Sequence, residues 1–209
     1  MSITWQEREH EEQDIVALND LGTIEAFRNY GLLKYFKFFR MRQQLELLQF
    51  FVHTWDPIYQ AFHIRGKVVA IMIDDVYFLT GLSRHGAPIS LSAFACGGEL
   101  VRDYIQQFFL LGTQPSRDGK IKIMDVHDFP LRKILFTITK LASNVTLHLV
   151  NRSYMQYALK YLEPTVFNWC EAILSLMKEQ MTKVKSGRMN NFSYGSLLIT
   201  FTLERIPLI

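Results

Sequence analysis

The sequence predicts a mainly α-helical fold, a single helical domain with one small β-hairpin. Three observations carry that expectation. Apolar residues recur at helical spacing over most of the chain, in runs near 32–52, 99–111, 130–144 and 165–185. Only one stretch, Phe62–Ile71, sets β-branched residues on both sides of a tight turn. Hydrophobic residues make up 49% of the 209 positions and prolines number only six, which suits one domain with a substantial core rather than disorder. The 13% aromatic content, with sixteen Phe, reads first as core filling and second as a surface for a partner.

Taken in order, residues 1–22 read as an acidic flexible arm, with a short helix expected near Glu11–Leu18, ahead of the domain at 23–209. Thr23 is a weak helix cap, because Ala26 stands where a capping box needs Glu. The run at 32–52 follows Gly31; Leu45, Leu48, Val52 and Trp55 form its stripe, and Pro57 ends it by about Trp55. Phe62–Ile64 and Val68–Ile71 then form the hairpin around Arg65-Gly66-Lys67, with Gly66 supplying positive φ. Asp74 is the expected N-cap of a short helix through Asp75 that Gly81 closes with a left-handed cap. Gly86-Ala87-Pro88 forces a loop.

Leu100, Tyr104, Phe108 and Leu111 line the helix at 99–111, and residues 112–120 are the clearest internal loop. Pro130 opens a helix through Ile134, Leu135 and Ile138 to about Asn144. Another covers about 152–161. The last long helix starts at Pro164 or Thr165 and ends at Lys185-Ser186-Gly187. Its stripe is Val166, Trp169, Cys170, Ile173, Leu176 and Met177, and Lys178, Lys183 and Lys185 complement its C-terminal dipole. Ser196–Glu204 fits strand and helix equally. The chain stops at Leu208-Ile209 without a polar tail, as a piece of a longer protein would.

Net charge is only +3, but it is unevenly spread. Residues 1–20 hold six acids and one base, a net of −5, so the rest, with 22 bases and 14 acids, carries +8. A basic body with an acidic arm is compatible with nucleic-acid contact, although a solvated basic surface explains it as well. Cys96 and Cys170 form no Cys-x-x-Cys pair, so neither a disulfide framework nor a zinc ribbon is indicated, and reduced thiols in a nuclear or cytosolic compartment fit best. The start is acidic and lacks a secretory apolar run, and the apolar run at 68–73 is far too short to span a bilayer, so no membrane partner is expected. Asn144-Val145-Thr146 spells a glycosylation acceptor without a secretory context.

No catalytic or metal motif stands out. Gly97-Gly98-Glu99 lacks the ending of a phosphate loop and reads as a flexible helix entrance. The six histidines make no i, i+4 pair. Asp125, His127 and Asp128 suit a solvated turn better than a cation site. Asp74, Asp125 and Glu171 can be threaded into a two-metal transferase set, but so can acids in any chain with twenty of them. Asp74 and Asp75 point different ways on a helix, so a cap plus a surface acid is favoured over a catalytic pair. Cys170, on its apolar stripe, reads as an inert core thiol. No cofactor and no small-molecule substrate are indicated. The best binding feature is the basic and aromatic run Lys34, Tyr35, Lys37, Phe39, Arg40 and Arg42, where rings could stack on bases and cations hold phosphates. Rings on a helix normally turn inward, which is the competing account.

Phe62-His63, Gly66, Val68–Ile71, Asp75-Val76, Leu79-Thr80-Gly81-Leu82 and Gly86-Ala87-Pro88 together resemble the plant mobile domain family, also labelled aminotransferase-like. Tyr30-Gly31-Leu32 and Trp55-Asp56-Pro57 resemble its helical lead-in, and Phe167-Asn168-Trp169-Cys170 with Phe192–Pro207 looks like transposon-associated plant proteins carrying a related domain. The resemblance spans about 30–209, is strongest over 62–91 and weakens after 110. In it Gly66, Asp74, Asp75, Gly81, Gly86 and Pro88 are structural positions. It implies a domain spread by plant transposable elements, whose domesticated relatives act in the nucleus on gene expression and silencing, with a nuclear protein partner and nucleic acid as a second candidate. The aminotransferase label implies no activity here, because no Schiff-base lysine with supporting groups for a pyridoxal ring and phosphate can be identified. No catalytic residue is carried over. No phosphatase module or long tail accompanies the domain.

Overall fold

A computed structural model describes residues 21–32, 45–91, 120–126, 128–142, 149–151, 154–162, 165–189, 192 and 194–205. Residues 1–20 of the acidic arm, the helix at 99–111, Cys96, Gly97-Gly98, His127 and Asn144 lie outside these residues, as does nearly all of the internal loop, while the arm's last two residues belong to the first described helix.

The first helix, α1 (Leu21–Asn29), starts before Thr23, so Thr23 lies inside it rather than at its cap. Gly31, at φ 68, turns the chain away from it. The next described helix, α2 (Leu45–Thr54), ends as Pro57 requires, and its last turn runs directly into the first strand.

That strand, β1 (Trp55–Asp56), is an addition to the expected hairpin. It pairs antiparallel with β2 (Ala61–Ile64), which pairs antiparallel with β3 (Lys67–Val69), so the small β element has three strands. The β2–β3 connection is the two residues Arg65 and Gly66, both with positive φ (49 and 76), as in the primed hairpin turns whose twist matches that of the strands. The register aligns Trp55, Phe62 and Val69 on one face, where the Trp55 and Phe62 rings pack 5.0 Å apart and Phe51 of α2 meets Phe62 at 5.2 Å.

Helix α3 (Ile73–Thr80) is the Asp-Val helix of the sequence. Its N-terminus differs from expectation. Asp74 is exposed and pairs with Arg84, whereas Asp75 is buried and its carboxylate accepts the Met72 backbone N–H at 2.8 Å. Asp75 can reach back from the third helical position, while Asp74, one residue earlier, points outward. The cap and the surface acid are therefore interchanged. Gly81 ends α3 as expected, at φ 68, donating to the Tyr77 carbonyl at 2.8 Å.

Further on, β4 (Lys120–Lys122) pairs antiparallel with β5 (Leu149–Asn151), a second small β element that periodicity did not indicate. Between them run a 3-10 turn (Ile123–Asp125) and helix α4 (Phe129–Ala142), close to the range the sequence predicts. Asp128 is not merely a solvated turn residue; its carboxylate accepts the Leu131 N–H at 2.8 Å and caps this helix. Then come α5 (Met155–Ala158) and a 3-10 turn (Leu159–Leu162).

The long helix α6 (Trp169–Lys185) packs against α2, α3, α4 and β1 and carries the centre of the core. It starts later than Pro164 or Thr165. Residues just before it are held extended, because Ala87 and Phe167 form a parallel bridge in which Ala87 donates to the Val166 carbonyl at 2.8 Å and Asn168 to the Ala87 carbonyl at 3.0 Å. Asn168 then caps α6 by accepting the Glu171 N–H at 3.1 Å. Val166 consequently stands outside the apolar stripe and exposed, while Trp169, Cys170, Ile173, Leu176 and Met177 are buried. The ambiguous C-terminal stretch is helix α7 (Gly195–Arg205). Arg205 pairs with the buried Asp75 and ties α7 to the start of α3.

The fold is therefore mainly α with a small antiparallel sheet. No described helix is long and apolar enough to cross a membrane.

Candidate interaction surface

An antiparallel sheet packed on one side leaves its other side in water. Here the inner face is filled by Trp55, Phe62 and Ile64. The outer face and its turn carry Ile58, Tyr59, His63 and Val68. Ile58 is 87% exposed, Tyr59 72% and Val68 62%. His63 pairs directly across the ladder with Val68, and its ring lies 6.2 Å from that of Tyr59 in an edge-to-face arrangement. Tyr59, His63 and Val68 are thus linked side chain to side chain, with Ile58 next to Tyr59 in the turn, which distinguishes them from apolar residues scattered singly on a surface.

Asp56 organises the turn beneath Tyr59. One carboxylate oxygen accepts the N–H groups of Ile58 at 2.8 Å and Tyr59 at 3.1 Å, while the other faces His63 Nε2 at 3.4 Å. The Tyr59 amide, helped by the Ile58 amide and by His63, holds the Asp56 carboxyl below its ordinary value of 3.8 against a weaker opposing desolvation. The turn closes through Gln60 at φ 49. Arg65 and Lys67 project from the next turn, both exposed, and neither has an ion-pair partner among the described residues. On the buried side, Trp55 donates its indole N–H to Thr182 at 3.2 Å, and Lys185 donates to the His53 carbonyl at 2.6 Å, fixing the sheet's root against the end of α6.

The residues singled out from the sequence divide sharply. Lys34, Tyr35, Lys37, Phe39, Arg40 and Arg42 lie outside the described residues. Gly66, Asp75, Gly81 and Gly86 each have a structural task. Gly86, at φ 119, comes so close to the 166–167 backbone that a Cβ there would stand 2.1 Å from the Val166 carbonyl oxygen. Pro88 is exposed just after the bridge, and Asp74 is held by Arg84, whose guanidinium also lies 4.8 Å from the Tyr77 ring centroid. Asp74, Asp125 and Glu171 do not converge, and no group of three or more potential metal ligands occurs among the described residues. Cys170 is buried, donates to the Leu82 carbonyl at 3.2 Å, and burial pushes its thiol up to about 12, which fits the inert thiol expected.

Sequence reasoning missed the outer face of the sheet. Val68 had been counted in an apolar strand, and only the pairing with His63 places it outward. The sole local signal was the Asp56-Pro57 turn before Ile58-Tyr59.

The molecule is thus a mainly helical domain with a three-stranded sheet that is sealed on one face, exposes His63 and Val68 on the other with Tyr59 beside them, and carries Arg65 and Lys67 at the end of its hairpin. Comparison with family models, with curated proteins and with solved structures returns no match.

Proposed function

We propose that this chain is a non-catalytic interaction domain of transposon origin, working in a nuclear complex linked to gene expression or to silencing of transposable elements. The observation that carries the interaction reading is the exposure of Ile58, Tyr59 and Val68, the last two joined through His63, on a sheet whose other face is firmly anchored. The nuclear and mobile-element context rests on the resemblance of Phe62–Leu91 to the plant mobile domain, and the hairpin lies inside that segment.

The test is proximity labelling of the tagged chain in plant cells, wild type against Ile58→Asp and Val68→Asp. Nuclear enrichment and a set of labelled neighbours that both variants lose, with thermal unfolding unchanged, is the expected result. A cytoplasmic signal would remove the nuclear reading, and neighbours indifferent to both variants would remove this face as the working surface.

A further inference from the structure

We propose that the outer face of the β1–β3 sheet, together with the end of its hairpin, binds single-stranded nucleic acid, with bases stacking on Tyr59 and phosphates held by Arg65 and Lys67, which bracket the turn at Gly66. The inference rests on the reading of this face as the interaction surface and names its ligand class. Stacking needs a ring with an open face on a rigid support. Tyr59 offers one, 72% exposed, its backbone N–H fixed by Asp56 and its edge set by His63. Phosphate binding needs cations not already neutralised. Arg65 and Lys67 fill that role at the end of the same hairpin, while the Asp56 carboxylate beside the face is occupied by two backbone N–H groups and His63.

Val68, paired across the ladder with His63, and Ile58, next to Tyr59 in the turn, add exposed apolar surface against which a second base or a sugar can lie. A duplex would present its bases edge-on inside grooves, which an exposed ring on a small sheet cannot reach for stacking. The charge fits too, since the chain beyond the acidic arm carries 22 bases against 14 acids.

The experiment is a fluorescence-anisotropy titration of the full chain with labelled oligo-U and oligo-dT of about ten nucleotides, from about 50 to 200 mM salt. Wild type should bind more weakly as salt rises. Arg65→Glu with Lys67→Glu should lower affinity at least about tenfold and flatten the log–log salt slope by about 1.4, two phosphate contacts' worth. Tyr59→Ala should cost about five- to a hundred-fold and Tyr59→Phe should restore it. Lys160→Glu, an exposed cation on a 3-10 turn packed against α1, α4 and α5, should change little. All these positions are exposed, so circular dichroism should be unaltered. No binding at the lowest salt, or binding that ignores the hairpin variants, overturns the proposal. If binding is absent while Ile58→Asp and Val68→Asp still abolish neighbour labelling, the face serves a protein instead and the interaction reading stands. If both fail, the reading falls with the inference.

Discussion

Two aromatic groupings in this molecule, each holding a tyrosine, meet opposite fates. Around the start of α6, Tyr30, Phe167 and Trp169 are fully enclosed, with ring centroids 5.6–6.2 Å apart. Every polar atom in that group is satisfied at long range: Trp169 donates to the Tyr30 carbonyl at 2.7 Å, and the Tyr30 hydroxyl donates to the Tyr157 carbonyl. On the sheet, Tyr59 and His63 are organised almost wholly by their own turn and stand in water. Ring content alone therefore does not separate core from surface. The separation comes from whether distant backbone arrives to cover the ring and accept its proton, and the uncovered group is where a ligand has room.

The comparison is most directly broken by truncating one ring from each group. Trp169→Ala should lose about 3–5 kcal/mol through cavity formation and the stranded Tyr30 carbonyl. Tyr59→Ala should stay within about 0.5 kcal/mol. Urea unfolding of both variants decides it, and similar losses would end the distinction.

A second contrast sharpens it with glycines. Gly86→Ala drives a methyl into the Val166 carbonyl at a φ that L residues avoid, and should cost about 3 kcal/mol with loss of the Ala87–Phe167 bridge. Gly66→Ala, with nothing within 4 Å of the added carbon, should cost only about 1 kcal/mol, from φ alone. Thermal melts of the pair give the ranking.

The third concerns Asp75, which joins the two halves of the comparison through α3. Asp75→Ala strands the Met72 N–H and the Arg205 guanidinium together and should cost about 1–3 kcal/mol. Arg205→Ala leaves the cap intact and should cost less, because its head is half in water. A double-mutant cycle should return a coupling clearly above zero.

The smallest effect is acid sensitivity of the exposed turn. The Asp56 carboxyl sits below 3.8 when folded, so its contribution is present above that value and is lost as pH falls through the lower folded value. Amide exchange at Ile58 and Tyr59 should accelerate there ahead of exchange in α6, and Asp56→Asn should remove the pH dependence.

Much of the helical layout was legible from local chemistry. Pro57 marked the end of α2, Gly81 the end of α3, Pro130 the start of α4 and Gly187 the end of α6, because proline and glycine act on their own φ and on their immediate neighbours. The candidate surface was far less legible. Asp74 and Asp75 look alike in sequence, and burial beside Arg205, 130 residues away, selects the second. Val68 and Val69 also look alike, and the register against His63 and Phe62 sends one outward and the other inward.

Composition and short-range pattern were enough to require a helical domain with a core and a tight hairpin turn at Arg65-Gly66. They left open the third strand, the late start of α6, the helical choice for Gly195–Arg205 and the exposed face around Tyr59. Three of those depend on a partner far along the chain: β1 is rooted on Thr182, the extended entry to α6 needs Ala87, and α7 is held by Asp75. Backbone torsions, caps and the register of the small sheet are settled within a few residues. Burial is settled by what folds back from some eighty to a hundred and thirty residues away, and periodicity carries no record of that return.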